Sequence, residues 1–182
     1  MATQNKAAWI DQGYQLVAEM GFEAVNIELI SRFVNKNKSS FYHYFGDFEL
    51  YRQALLEHHI ARAQDFSGKI RQITTINPDL LNVAIEYKYD IFFHKQLRLN
   101  RNKPLYAEPF QKAFAIYEAA VIDKWATFFR LEDNLPFVST CIHFFTENLL
   151  LKATFENFTF EWLEGYLEEL STMVQQFSQK PK

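Results

Sequence analysis

Residues 29–45 read LISRFVNKNKSSFYHYF, and this stretch decides the fold that we expect for the chain. Its spacing predicts a short helix, a tight turn at Asn35 and a second helix that Asn37 caps. Phe41 and Phe45 lie four residues apart, so they share the inward face of the second helix. Asn35 can replace the glycine usual in such a turn, because asparagine tolerates a left-handed backbone better than other non-glycine residues.

The outer face of the second helix is polar and aromatic. It carries Lys38, Ser39, Ser40, Tyr42, His43 and Tyr44. Residues 29–45 include no acidic residue and have a formal charge of +3, whereas the chain of 182 residues has a formal charge of −3. A helix pair with such a face suits the major groove of DNA. The alternative is an ordinary solvent-exposed helix face.

Composition limits both the class of protein and the kind of DNA contact. A hydrophobic fraction of 48% and a charged fraction of 23% are typical of a globular chain. Residues 1–46 hold four basic and four acidic side chains, and residues 47–182 hold 15 basic and 18 acidic ones. Because neither part has a broad positive charge, binding to nucleic acid requires a local basic patch.

The sequence gives two indications of the cellular compartment. Cys141 is the single cysteine, so no disulfide framework can form within one chain. The first residues lack the apolar core of a signal peptide, and no run of about 18 apolar residues occurs. We therefore expect a cytoplasmic protein without a membrane partner.

The chain predicts helices throughout, because glycine and proline are scarce, at five each, and no strand pattern alternates. The first helix covers about residues 6–20, with Gly13 on its buried side, where the missing side chain lets another helix approach closely. Asn26 is the expected N-cap of the second helix, and Asp47 that of the fourth. Residues 100–109, which contain two prolines, are expected to form a loop.

The two C-terminal helices are the most apolar, and the last one has two apolar edges. One helix cannot use two apolar edges inside one thin layer, so the pattern indicates a partner surface, most simply a second copy of the chain. A buried central helix in a monomer is the alternative. The expected dimer interface consists of Phe145, Leu149, Leu163, Leu167, Leu170 and Val174.

Residues 9–50 resemble the N-terminal domain of the TetR family of bacterial transcriptional regulators. The resemblance rests on a first helix ending in Gly21-Phe22, the N-cap Asn26, the turn at Asn35 and the stretch that follows it, NKSSFYHYF, residues 37–45. It covers about the first quarter of the chain, and the rest matches only in architecture. Three positions depart from the family pattern, namely Asn35 for a glycine, Lys36 for an apolar residue and Phe48 for a lysine.

The resemblance implies an all-α homodimer that acts as a ligand-responsive repressor on a palindromic operator. Residues 1–46 would form a three-helix domain with a DNA-binding helix-turn-helix, and residues 47–182 a larger helical domain for effector binding and dimerisation. Lys38, Tyr42 and Tyr44 would lie on phosphates or the groove wall, and Asn26 would anchor a phosphate. The residues expected to contact DNA are Asn26, Lys36, Asn37, Lys38, Ser39, Ser40, Tyr42, His43 and Tyr44.

Aromatic residues are abundant between positions 80 and 130, and they could line an apolar cavity. The candidates are Tyr87, Phe92, Phe114, Tyr117 and Trp125. A small apolar or aromatic effector bound there would shift the fourth helix and change the spacing of the two DNA-reading helices. A solid aromatic core is the alternative.

The sequence offers no support for an enzyme. It contains no nucleophile elbow, phosphate loop, dinucleotide-binding glycine pattern or HExxH motif. His58 and His59 are adjacent on a helix, so their side chains point about 100° apart and cannot chelate one metal together. We expect no catalytic residue, metal or cofactor. The competing function is a helical small-molecule-binding or interaction protein whose helix-turn-helix is vestigial, which the weak charge and Phe48 favour.

Overall fold

The structure is a computed structural model that describes residues 2–178, with side chains for residues 6–176. Within residues 2–178 every regular element is helical and no strand occurs, which confirms the all-α class. A π-helical turn, Ile76–Leu80, precedes α5. The α-helices are α1 Ala2–Met20, α2 Ile27–Phe33, α3 Lys38–Phe45, α4 Phe48–Gln72, α5 Leu81–Glu86, α6 Lys88–Leu99, α7 Pro104–Phe129, α8 Leu135–Lys152 and α9 Phe160–Ser178.

The chain divides into two compact units, and each unit consists of two segments that are separated in the sequence. The first comprises the chain up to Ala63 together with Tyr89–Phe114, and the second comprises Gln64–Lys88 and the chain from Ala115 onward. The domain boundary that we predicted after residue 46 stays a prediction. No helix within residues 2–178 has the length and apolar character needed to cross a membrane.

Close packing between α1 and α4 depends on a glycine. A Cβ atom built on Gly13 would lie 1.6 Å from the hydroxyl oxygen of Tyr51, so only glycine fits there. That hydroxyl donates a hydrogen bond of 2.7 Å to the backbone carbonyl of Trp9. Burial, helped by the negative charge of Asp11, raises the pKa of Tyr51, and the hydroxyl stays protonated as a donor. The predicted role of Gly13 is therefore confirmed.

Local signals fix where the N-terminal helices end. Gly21 and Gly46 have φ angles of 86° and 75°, in the left-handed region that glycine adopts without strain. The carboxylate of Asp47 accepts a hydrogen bond of 2.8 Å from the Leu50 amide at the start of α4. Both the glycine stops and the Asp47 cap agree with the sequence prediction.

The predicted loop over residues 100–109 is shorter in the structure, because α7 begins at Pro104. Proline suits the first position of a helix, where the amide hydrogen would have no partner in any case. Pro109 then lies inside the helix, five residues further on. The sequence reading was wrong here because it took both prolines as helix breakers, although the first of them starts the helix.

Candidate nucleic-acid interface

Ser31 makes two hydrogen bonds across the turn between α2 and α3, one with its backbone carbonyl and one with its side chain. Asn35 has a φ angle of 52°, which confirms the predicted left-handed residue. The amide of Lys36 donates a hydrogen bond of 3.1 Å to the carbonyl of Ser31. The hydroxyl of Ser31 in turn donates to the carbonyl of Lys36. These two bonds fix the direction in which α3 leaves the turn, and the sequence reading did not single out Ser31.

Two asparagines cap the helices of this region. The side-chain oxygen of Asn26 accepts a hydrogen bond of 2.9 Å from the Leu29 amide, and that of Asn37 accepts one of 2.9 Å from Ser40. Both caps were predicted, and both stabilise the first turn of a short helix. Because each oxygen is occupied by the cap, each side chain can offer a phosphate only its amide hydrogens.

The inner face of α3 is locked by aromatic packing. Phe41 is fully buried and Phe45 is 6% exposed. The ring of Phe41 makes edge contacts with Trp9 of α1 at 5.4 Å and with Tyr51 of α4 at 5.0 Å between ring centres. Phe45 contacts Tyr51 at 4.8 Å. These contacts set the rotation of α3 about its own axis, which decides which residues face outward.

The opposite face of α3 is open to solvent. Tyr42 is 52% exposed. The other residues of this face that are exposed are Lys38, Ser39 and His43, whereas Ser40, Tyr44 and the preceding Lys36 are half-buried. Asn26 and Asn37 are exposed as well. Four of the expected DNA contacts, Lys38, Ser39, Tyr42 and His43, are thus exposed on α3, and the contact of the whole set with DNA stays a prediction.

An acidic residue of α2 lies against this surface. The ammonium group of Lys38 is 3.2 Å from a carboxylate oxygen of Glu28 on α2, and both side chains are more than half exposed. The pair is ten residues apart, so folding brings it together rather than helical periodicity. Glu28 therefore balances the charge of Lys38 on this surface.

At the start of α4, Arg52 lies near Phe48, the position where the family pattern has a lysine, and its charge is balanced by Glu49. Phe48 is half-buried, and the guanidinium of Arg52 lies over its ring at 5.2 Å. Glu49 accepts two hydrogen bonds from Arg52, at 2.8 and 2.9 Å. A positive group is thus present one turn after Phe48, but its charge is balanced within the helix.

The residues predicted to line an effector cavity belong to both compact units of the chain. Tyr87 and Tyr117 both contact Phe66 in the second unit, at 5.0 and 5.3 Å between ring centres. Trp125, in the same unit, stacks on Phe129 at 5.2 Å. Phe92 and Phe114 are buried in the first unit. The effector site stays a prediction.

Most residues of the predicted dimer interface are buried within the single chain. Leu149 is half-buried, whereas the other five residues, Phe145, Leu163, Leu167, Leu170 and Val174, are buried. Phe145, Leu170 and Val174 form one core cluster with Tyr166, and the hydroxyl of Tyr166 donates to the Phe145 carbonyl at 2.8 Å. Side chains that fill the core leave little surface for a partner. The apolar residues that α8 exposes are different ones, and they include Phe137, Phe144 and Leu151.

Comparison with known proteins gives no family assignment, since no protein-family model and no curated protein matches the sequence. The site is therefore interpreted from its own geometry and chemistry.

Proposed function

We propose that the protein is a DNA-binding transcriptional regulator that inserts α3 into the major groove. The observation that carries the proposal is the division of α3 into two faces. Phe41 and Phe45 anchor one face in the core, whereas Lys38, Ser39, Tyr42 and His43 project from the other. A helix held rigidly by one face and open on the other can enter the groove without rearrangement.

The exposed groups divide into two roles. Lys38 and Tyr42, with Lys36 and Tyr44 at the flanks, fit the phosphates on either side of the groove, which fix register but carry no sequence information. His43 has the ring nitrogens needed to read base edges, and Ser39 is small enough to allow close approach. Asn26 and Asn37 add amide donors at the helix starts.

Binding to selected DNA over a range of salt concentrations tests this assignment. Lys38→Ala should reduce the slope of log affinity against log salt by about 1, because one phosphate contact is lost. Tyr42→Phe should weaken binding to all sequences alike, whereas His43→Ala should change the preferred sequence. The control is Lys112→Ala, an exposed lysine on α7, which should leave affinity unchanged. Unchanged affinity and preference in the three α3 variants would refute the assignment.

The regulator is proposed to act as a homodimer on an inverted repeat, through the outer face of α8. Phe137, Phe144 and Leu151 recur every seven residues, and each is exposed, with Leu151 at 70%. A heptad repeat of apolar residues on an exposed helix is typical of a contact with another helix. An apolar groove of about 440 Å³ runs beside this face, lined by Phe137, Thr140, Cys141, Phe144, Phe145, Met173 and Val174.

Sedimentation measures the dimer independently of DNA. The wild-type protein should sediment as a dimer at micromolar concentration, and Phe144→Lys should yield a folded monomer because a charge is buried unpaired at the interface. Leu99→Lys is the matched control, since Leu99 is also 58% exposed but lies on α6. A monomeric wild-type protein would contradict the dimer and leave the assignment of α3 to be tested by DNA binding alone.

The competing function is a helical interaction or small-molecule-binding protein that no longer binds DNA. The specific observations in its favour are the pairing of Lys38 with Glu28 and of Arg52 with Glu49, which neutralise two cations near α3. The competing function would be favoured if the protein bound an inverted repeat no better than other DNA and if its affinity fell little with rising salt. Control by an apolar or aromatic effector, with repression as its output, is part of the regulator proposal and is tested by effector-dependent DNA release.

A further inference from the structure

The first unit contains a partly open pocket of about 270 Å³. It is lined by the segment between α1 and α2, by α4 and by the beginning of α7, and its apolar walls are Phe22, Val25 and Leu105. Pockets for drug-sized ligands have volumes of about 300–1,000 Å³, so this one suits a smaller molecule. None of the residues predicted to line an effector cavity belongs to it.

One polar group of the pocket has no hydrogen-bond partner within the described part of the chain. Tyr106 is only 4% exposed, and its ring packs against that of Phe22 at 4.4 Å between ring centres. Its hydroxyl makes no hydrogen bond with any residue from 6 to 176, although the oxygen is not fully enclosed. A phenylalanine would fill the same space without the cost of an unpaired polar group. The hydroxyl therefore indicates a partner that is not part of the chain.

Two cations at the pocket keep donors that their carboxylate partners do not use. Arg52 uses one terminal nitrogen for both of its bonds to Glu49, so Nε and the second terminal nitrogen have no acceptor among residues 6–176. The ammonium group of Lys103, just before α7, is 2.8 Å from a carboxylate oxygen of Glu23 and 3.4 Å from the side-chain oxygen of Asn100. An ammonium group has three hydrogens, so one more remains to be donated.

Four charged groups around the pocket lie close enough to act on the Tyr106 hydroxyl. Burial raises the pKa of Tyr106, the positive charges of Arg52 and Lys103 act to lower it, and the negative charges of Glu49 and Glu23 act to raise it. Because the net effect raises the pKa, the hydroxyl stays protonated at neutral pH and can donate. The hydroxyl, the guanidinium and the ammonium group are thus all donors, and a ligand that satisfies them must supply acceptors.

We propose that this pocket binds a small organic carboxylate whose apolar part lies against Phe22, Val25 and Leu105. The two oxygens of a carboxylate offer about four acceptor positions, enough for the three donor groups. Charge favours the same class, because the lining has two positive side chains and one negative one and therefore suits a monoanion better than a phosphate group. The binding can be measured without DNA, so it does not depend on the proposed DNA-binding function.

Titration with sodium benzoate and sodium hexanoate, followed through the methyl signals of Val25 and Leu105 in NMR spectra, tests the site. Both signals should shift and saturate with either probe. Benzamide and hexanamide keep the shape of the probes without their charge, so they should bind at least about tenfold more weakly, because hydrogen bonds to charged groups are the stronger ones. Inorganic phosphate at the same concentration should shift neither signal.

Two variants test the donor groups separately. Tyr106→Phe removes the hydroxyl and keeps the ring, so it should weaken benzoate binding about tenfold. It should leave the midpoint of urea unfolding unchanged, because the hydroxyl has no partner among the described residues. Arg52→Gln should also weaken benzoate binding about tenfold. The controls are Tyr89→Phe and Lys112→Gln, which change a tyrosine of α6 and a lysine of α7 outside the pocket lining, and both should bind benzoate as the wild-type protein does.

Several results would overturn the proposal. One is the absence of saturable shifts at Val25 and Leu105 with every aliphatic monocarboxylate from formate to octanoate and with benzoate and phenylacetate. Equal affinity for benzoate and benzamide, or wild-type benzoate affinity in Tyr106→Phe, would also overturn it. A lower unfolding midpoint in Tyr106→Phe would assign the hydroxyl a structural role instead. If Arg52→Gln weakened DNA binding while no carboxylate bound, Arg52 would be a phosphate contact and the carboxylate site would be refuted.

Discussion

Replacement of Gly13 by alanine is the sharpest test of how α1 is seated on α4. The new Cβ would lie 1.6 Å from the hydroxyl oxygen of Tyr51, and the next two ring atoms would be at 2.8 and 3.3 Å. The Tyr51 ring is fully buried and its hydroxyl is bonded to the Trp9 carbonyl, so it cannot swing into solvent. Accommodation of the Cβ therefore strains the packing of α1 and also breaks the hydrogen bond.

The expected cost can be worked from three contributions. Alanine is favoured over glycine inside a helix by up to about 1 kcal/mol. Overpacking of a core costs about 1–3 kcal/mol, and loss of a buried hydrogen bond costs about 1–3 kcal/mol. The free energy of unfolding should therefore fall by about 1–5 kcal/mol in Gly13→Ala, despite the gain in helix propensity.

Urea unfolding measures this change, and the chain offers a matched control. A Cβ on Gly68, within α4, would meet no atom within 4 Å, so Gly68→Ala should stabilise by about 0.5–1 kcal/mol. Tyr51→Phe removes the closest atom, and the double variant with Gly13→Ala should therefore cost less than the sum of the two single changes. A Gly13→Ala protein as stable as the wild type or more stable would refute the reasoning.

Three further changes test other contacts. Glu28→Gln frees Lys38 from its exposed partner, so DNA affinity measured by titration should rise severalfold at low salt. Stability measured by urea unfolding should change by less than about 1 kcal/mol. Unchanged affinity would mean that Lys38 does not contact DNA. Asn37→Ala removes the cap of α3, so it should lower the free energy of unfolding by about 1 kcal/mol and weaken DNA binding as well. Weaker DNA binding with unchanged stability would instead indicate a direct contact between Asn37 and DNA. Asp90→Ala leaves Arg62 without its carboxylate partner, so the free energy of unfolding should fall by about 3 kcal/mol. This is the low end for a broken buried pair, because Arg62 is partly exposed. A change below about 1 kcal/mol would show that the pair is dispensable.

The sequence alone predicts the elements around α3 well because their signals are local. The caps Asn26, Asn37 and Asp47 and the stops Gly21 and Gly46 each act within four residues of their own position. Phe41 and Phe45 follow from helical period, and Gly13 from its place on the apolar side of α1. The caps and stops act within about one turn of a helix, and helical period alone places Phe41, Phe45 and Gly13 on inward faces, so the sequence contains both kinds of signal.

Contacts between distant residues are what the sequence reading missed. The two apolar edges of α9 left both a partner chain and a buried central helix open, and the sequence did not show that Leu170 and Val174 meet Phe145 of α8 within the same chain. Helical period shows which faces are apolar and cannot show what covers them. The bond between Tyr14 and Asp90 spans 76 positions, and no spacing rule applies at that distance.

The contact between Trp9 and Phe41 also provides an optical probe of the junction between α1 and α3. Trp9 has no exposed surface, and it is one of three tryptophans in the chain. With Trp125 and Trp162 replaced by phenylalanine, the remaining emission would originate where α1 supports α3. A red shift of that emission would then signal water reaching this junction, on a time scale that rapid mixing resolves.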